Sequence, residues 1–515
     1  MALKARPPAA PSATVAVGTP PTAQPRRSAA RRAHRWPPRP ALALFLVLAS
    51  LYALTSSGHT YSFDEETMFA LTASLAERGS VEIPTCGECA IIRAEPLPGG
   101  RNYSRYGPLQ SLAAVPLYWA GELVAGDSPV ASAGRWFTTR FFAVLLDALA
   151  TAGTATLLYG LVRGLGYSTR IGLACALLYG LGTQAWPHSK TFFAEPLTTM
   201  FLLTAVVCWW QLERAQAVGR GAWAVRSKSE GVARPSPVAL RPTAHAPRPT
   251  AWAAALGLAC GLAMATKWAA AIALPVLGLA LAATLYRWWR AGGLAPRRAL
   301  AIALAAEAGL AVPVALVALY NAARFGSPFA TGYGANELGA VQTGLFWMPL
   351  WAFLVSPGKS VFLFSPVALL ALPAWPRFFR RHRPLALVAL GLILTHLGFY
   401  ARVPHWHGDV AWGPRHLDYV VPLLVLPLAT LLSAERPNAE RGARSAEQGT
   451  TRPHAEAPAR SEQHAVSSSA LRAPRSTGWR AAGPAAARRS RGGAAPRRRR
   501  RTSGARARRS PGGSG

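Results

Sequence analysis

Asp64, Glu65 and Glu66 stand side by side in "YSFDEETMF" (61–69), a few residues after a strongly apolar run. A carboxylate there can accept a proton from a nucleophilic hydroxyl, bind a metal, or cap a helix and favour its positive end. The stretch "SFDEETMFALTASLAERG" predicts a helix with Ser62 or Asp64 as N-cap and Met68, Leu71 and Leu75 on one face. A cap needs one acid, and three adjacent carboxylates repel one another. The excess points to a site.

The complementary charge lies in other polar connections. Arg105, Lys190, Lys359, Arg415 and His416 are the candidate phosphate-binding residues, with Arg101 and Arg324 nearby in sequence type and setting. A phosphate leaving group needs such cations to take up developing negative charge. Each alone reads equally well as an interfacial side chain reaching for water; the set carries the weight. An acid for an acceptor and cations for a phosphate, both beside lipid, suit transfer of a sugar from a polyprenyl-phosphate carrier.

The elements that must position these residues are membrane helices. Of 515 residues, 51% are hydrophobic, and the formal net charge is +34. The mean hydropathy of +0.18 averages two unlike materials. Residues 41–433 are a series of long apolar runs, whereas 1–40 and 434–515 are rich in Arg, Pro, Ala, Gly and Ser. A soluble domain does not stack so many runs of about 18 residues. The expected fold class is all-α: a multi-pass transmembrane protein of about ten spans. The net charge taken alone would suggest nucleic acid. Its distribution over tails and inter-run loops instead fits a positive-inside bias, so no nucleic-acid partner is expected.

Three domains are read: a disordered basic tail (1–40), a transmembrane catalytic domain (41–433) and a disordered Arg-rich tail (434–515). The last is read either as native or as the product of a shifted frame. Residues 214–250, rich in Pro and Arg, read as a disordered cytoplasmic loop. Cys86 and Cys89 in "TCGEC" are half of a zinc pattern with no second pair, or a local disulfide. Cys175, Cys208 and Cys260 fall in apolar runs and read as buried packing residues.

Placing every Arg-rich connection in the cytoplasm requires an even number of passes between them. Runs near 171–187 and 195–212 form one pair. The 35-residue apolar stretch interrupted by Lys267 forms a second. Runs 299–322 and 360–376, then 384–401 and 417–433, form two more. Between Arg39 and Arg163 lie three runs, and the middle one (108–126) contains Pro108, Pro116, Gly121 and Glu122. It is read as lying along the membrane surface or re-entering, as is 344–355. Both termini are then cytoplasmic, and the first outer loop (59–136) carries the acid triplet. The other polar connections face outward with it. Asp147 and Glu307 fall inside spans; Asp147 reads as a helix-to-helix hydrogen-bonding group.

Seven stretches in order carry a resemblance: "FDEETMFALTASLAERG", "YSRYGPLQSLAAVPLYWAGE", "TTRFFAVLLDAL", "AWPHSKTFFAEPL", "YNAARFGSPFATGY", "LVSPGKSVFLFSP" and "WHGDVAWGPRHLDYVVPLL". Together they resemble the GT-C glycosyltransferases. The likeness is to the bacterial lipid-carrier-dependent branch, akin to protein O-mannosyltransferases and the lipid A aminoarabinose transferase. The resemblance implies interfacial helices in the first outer loop. It implies Asp64 as catalytic base with Glu65 its neighbour, and Glu195 as a second acid that orients the acceptor or a basic residue. It makes Lys359, Arg415 and Lys190 carrier-phosphate ligands. The implied partners are a polyprenyl-phosphate-linked sugar donor, a lipid, glycan or protein acceptor, and membrane lipids, at the inner (plasma) membrane. No metal cage is read, and a divalent cation at the acid cluster is left open. The rival readings are a transporter or flippase of a lipid-linked glycan, and an inactive family copy.

Overall fold

Proline and the apolar runs between them set the element boundaries of this chain. The computed structural model describes residues 38–84, 94–96, 101–126, 131–229, 249–333, 346–408 and 411–434. The basic termini, Cys86 and Cys89, and most of the 214–250 segment lie outside the described residues.

The first apolar run forms helix α1 (Pro38–Leu54). The acid triplet opens α2 (Phe63–Arg78), and a small antiparallel sheet follows: β1 (Glu82–Ile83), β2 (Ala94–Pro96) and β3 (Asn102–Ser104), in the order β1-β3-β2. Tyr103 faces Glu82 on one side and Glu95 on the other. This sheet is the one departure from an all-α chain among the described residues. Its strands are two or three residues long, too short to leave a period-2 hydrophobic signal.

Pro108 at the first position of α3 (Pro108–Ala125) starts a helix whose outer stripe, Leu112, Trp119 and Leu123, is exposed, while Ala114, Val115 and Tyr118 are buried. It rests on α2 and on α4 (Ala131–Gly164). Then come α5 (Thr169–Gly182), the single turn α6 (Ala185–His188), α7 (Ala194–Ser229) and α8 (Pro249–Thr266). A 3-10 segment (Trp268–Ala273) leads into α9 (Leu274–Arg290), followed by α10 (Pro296–Phe325). The helix of α7 runs on to Ser229, into the segment expected to be disordered. Ala, Arg, Gln and Lys keep helical propensity there, and the first proline comes only at Pro235.

Six helices among the described residues are long and apolar enough to cross a membrane, and two shorter apolar helices (Arg39–Leu54 and Thr169–Gly182) accompany them. Leu300, Leu304, Val312, Leu316 and Leu319 of α10 point outward. Such a stripe is stable only against lipid. The chain is a multi-pass helical membrane protein. The run 360–376 does not form one helix. It breaks into Val361–Phe364, Pro366–Ala371, a 3-10 turn and Trp375–Arg381, each break at a proline that removes a backbone donor. The segment expected to be interfacial at 344–355 contains a nine-residue helix, Trp347–Val355. At 1.5 Å per residue this is about 14 Å long, too short to cross.

Candidate active site

The three adjacent acids part company because consecutive helical residues point about 100° apart. Ser62 is the N-cap of α2. Its hydroxyl accepts from the Glu65 N–H at 3.3 Å, and the Glu65 carboxylate accepts back from the Ser62 N–H at 3.0 Å, a reciprocal capping box. Glu65 also accepts from the N–H groups of Tyr61 and, at 3.0 Å, Phe192. It is fully buried, and burial pushes its carboxyl up to about 7 against the lowering effect of those donors and of Arg415. Glu66 turns to Arg140 of α4, whose guanidinium meets it with two bonds of 3.0 and 2.9 Å while lying over Phe69 and Trp136.

Asp64 alone turns into a cleft. Its Oδ1 accepts from the Tyr106 hydroxyl at 2.6 Å and its Oδ2 from Arg415 Nη2 at 2.8 Å. The Arg415 Nε lies 3.7 Å from Glu195 Oε1, and its guanidinium covers the Phe193 ring at 4.4 Å. Glu195, the second residue of α7, also takes a 2.6 Å bond from Lys267 Nζ. Behind it, His416 Nδ1 stands 3.4 Å from the same oxygen, with its ring stacked on Tyr400. Two acids and two cations thus alternate: Asp64, Arg415, Glu195, Lys267. The cleft, about 340 Å³ of empty space that includes open solvent, is also lined by Tyr106, Phe193, Thr266, Trp268 and Tyr333.

Local folding explains the convergence. Lys267 sits in an extended conformation between α8 and the 3-10 segment, so its side chain leaves the helix line. Gly107, at the start of α3, lies so close to that break that a Cβ would fall 2.3 Å from the Ala265 carbonyl oxygen. Only glycine lets the loop bearing Tyr106 reach Lys267.

Of the residues singled out in the sequence, Asp64, Glu195 and Arg415 line the cleft together, with His416 and Glu65 directly behind. Arg105, Lys190 and Lys359 do not line it. Arg105 lies over Tyr333 at 5.4 Å, and Lys190 is 6.0 Å from the Trp186 ring. The Lys359 ammonium donates to the carbonyls of Ala411 and Gly413. Arg324 is buried, with bonds to the Ser104 carbonyl and to Asn321 at 2.8 Å, and fastens β3 to α10. Asp147 accepts from Gln110 of α3 at 2.8 Å, a helix-to-helix bond as expected. Lys267 and Tyr106 are cleft residues that the sequence pattern does not single out. The signal for Lys267 was a lone cation inside 35 apolar residues; Tyr106 had none beyond lying near the acids' loop. Among the described residues, no three His, Cys, Asp or Glu side chains group to hold a metal.

Residues 124–228 match the family model of dolichyl-phosphate-mannose-protein mannosyltransferases. No curated protein matches the chain in sequence. Several solved structures are similar, two of which are described. One is ArnT from Cupriavidus metallidurans bound to undecaprenyl phosphate, with 14% identity and a TM-score of 0.47 over 79% of this chain and 62% of that one. The other is the oligosaccharyltransferase AglB from Archaeoglobus fulgidus, in complex with an inhibitory peptide and a dolichol-phosphate. It has 12% identity and a TM-score of 0.44 over 81% of this chain and 52% of that one. The chain therefore spans between half and two thirds of the length of these proteins.

Proposed function

We propose that this chain is a membrane glycosyltransferase of the lipid-carrier-dependent GT-C type. It moves a sugar from a polyprenyl-phosphate carrier to an acceptor hydroxyl or amine on the extracytoplasmic side of the inner membrane. The observation that carries the reading is that Asp64, Arg415 and Lys267 share one cleft at the ends of apolar helices. About ten passes with both ends cytoplasmic would put that cleft outside.

The chemistry is one displacement. The acceptor oxygen attacks the anomeric carbon and gives its proton to Asp64. The bond from that carbon to the phosphate oxygen breaks, and polyprenyl phosphate leaves with the electron pair. Arg415 and Lys267 hold the leaving phosphate and offset its growing charge. Glu195 keeps both cations in place between turnovers. A single attack opposite the leaving group inverts the anomeric centre. In this structure the acids engage protein donors. Arg415 and Tyr106 engage the two oxygens of Asp64, and Lys267 engages Glu195. No step is routed through a metal.

The test is transfer by the purified protein from a panel of polyprenyl-phosphate sugars, with Asp64→Asn alongside. The variant is expected to lose transfer by about 10²–10⁴-fold, the usual contribution of a positioned base, while still binding the carrier. A folded protein inert towards every donor removes the reading. A variant that transfers as fast as the parent removes Asp64 from the role of base.

A further inference from the structure

The segment that ends at Arg415 is held in an unusual way. Four consecutive backbone carbonyls precede the arginine, and three side chains distant in sequence, Lys359, His188 and Gln184, hold them all. Lys359 Nζ donates to Ala411 O at 2.9 Å and to Gly413 O at 3.1 Å. His188 Nε2 meets Trp412 O at 2.9 Å, so that nitrogen carries the proton. Gln184 Nε2 donates to Pro414 O at 3.2 Å. The same Gln184 amide lies 3.4 Å from Asp418 Oδ1, and His188 Nδ1 lies 3.6 Å from it, so the turn is gripped beyond the arginine as well. His188 and Gln184 are buried. Burial works against charge on His188, but Asp418 outweighs it and raises the imidazole above its ordinary value.

Gly408 adds a close backbone approach to the arginine. Gly408 has a φ of 66° and lies against the Arg415 side chain, where a Cβ would come within 2.9 Å of its Cγ. Free carbonyls in a polar loop would ordinarily take water, and fixing the backbone that carries them costs conformational entropy. The Lys359 ammonium thus binds the backbone on both sides of Trp412.

We infer that Lys359, His188 and Gln184 are positioning residues that set the Arg415 guanidinium at the carrier phosphate by capturing the four carbonyls before it. Lys359 then acts on the carrier through Arg415, not by touching the phosphate. The inference rests on the proposed function for the role of Arg415, and deepens it by dividing the cations into phosphate ligands (Arg415, Lys267) and a holder (Lys359).

The experiment is a double-mutant cycle read by binding of undecaprenyl phosphate to the full chain in nanodiscs, with hydrogen exchange on the same samples. Lys359→Met is expected to weaken binding about tenfold, equivalent to about 1.4 kcal/mol. It should also speed amide exchange at 411–418, and Lys359→Arg should recover most of both losses. In an Arg415→Lys background the same Lys359→Met change is expected to weaken binding less than about twofold, since coupled residues do not add. Additive losses would mean that Lys359 meets the phosphate directly, and unchanged exchange at 411–418 would mean that it holds nothing; either overturns the inference and leaves the proposed function standing. Parent protein that does not bind undecaprenyl phosphate overturns both.

Discussion

At the scale of single residues, three neighbouring carboxylates have three occupations. Asp64 faces the cleft, Glu65 closes a capping box and Glu66 grips Arg140. Glu66→Gln should therefore leave turnover nearly intact and lower the unfolding temperature, whereas Lys267→Met or Arg415→Gln should cut turnover by about 10²–10³-fold, as for other removed charge-stabilising groups. Glu65 gives a pH signature. Its folded carboxyl is raised to about 7, so between about pH 4.5 and 7 the folded protein binds more protons than the unfolded chain. Stability then falls as pH rises through that window. Glu65→Gln should flatten that slope in thermal unfolding measured from pH 4.5 to 8; an unchanged slope assigns it to another group. Position at the ends of apolar runs made the acid triplet and Arg415 legible; Glu195, and the choice of Asp64 within the triplet, came from the family resemblance. Charge and spacing alone do not separate Asp64 from its two neighbours, since which direction faces the cleft depends on Tyr106 and Arg415, 42 and 351 positions away.

At the scale of elements, the site depends on breaks as much as on helices. The apolar periodicity reads out the long helices well, and Pro108 and Pro296 mark two of their starts. Periodicity is blind to the extended residue between α8 and the 3-10 turn, which is why Lys267 read only as an interruption. It is equally blind to a sheet of three short strands. Two substitutions test this level. Ser62→Ala removes one half of the capping box and should cost about 1 kcal/mol of stability, seen as earlier unfolding with turnover retained below the transition. Gly107→Ala forces a Cβ onto the Ala265 carbonyl. It should lower turnover through a displaced Tyr106, an effect visible as weaker carrier binding at unchanged α-helical circular dichroism.

At the scale of the whole molecule, the arrangement of charge predicts sidedness. Alkaline phosphatase fused at Ser80 should be active and at Gly293 inactive; the reverse pattern would put the cleft in the cytoplasm. The apolar runs made the membrane architecture readable at once, because lipid tolerates few alternatives to a helix. The partnership of distant loops was not readable, because nothing in either stretch encodes the other. Asp64 and Arg415 meet across a sequence separation of 351. At about 5–20 residues per second of synthesis, the acid waits roughly 20–70 s for its counter-ion. The cleft is thus completed only late in synthesis. A chain cut short before Arg415 would leave Asp64 with its tyrosine but without a counter-ion, a charge imbalance that marks the product as unfinished.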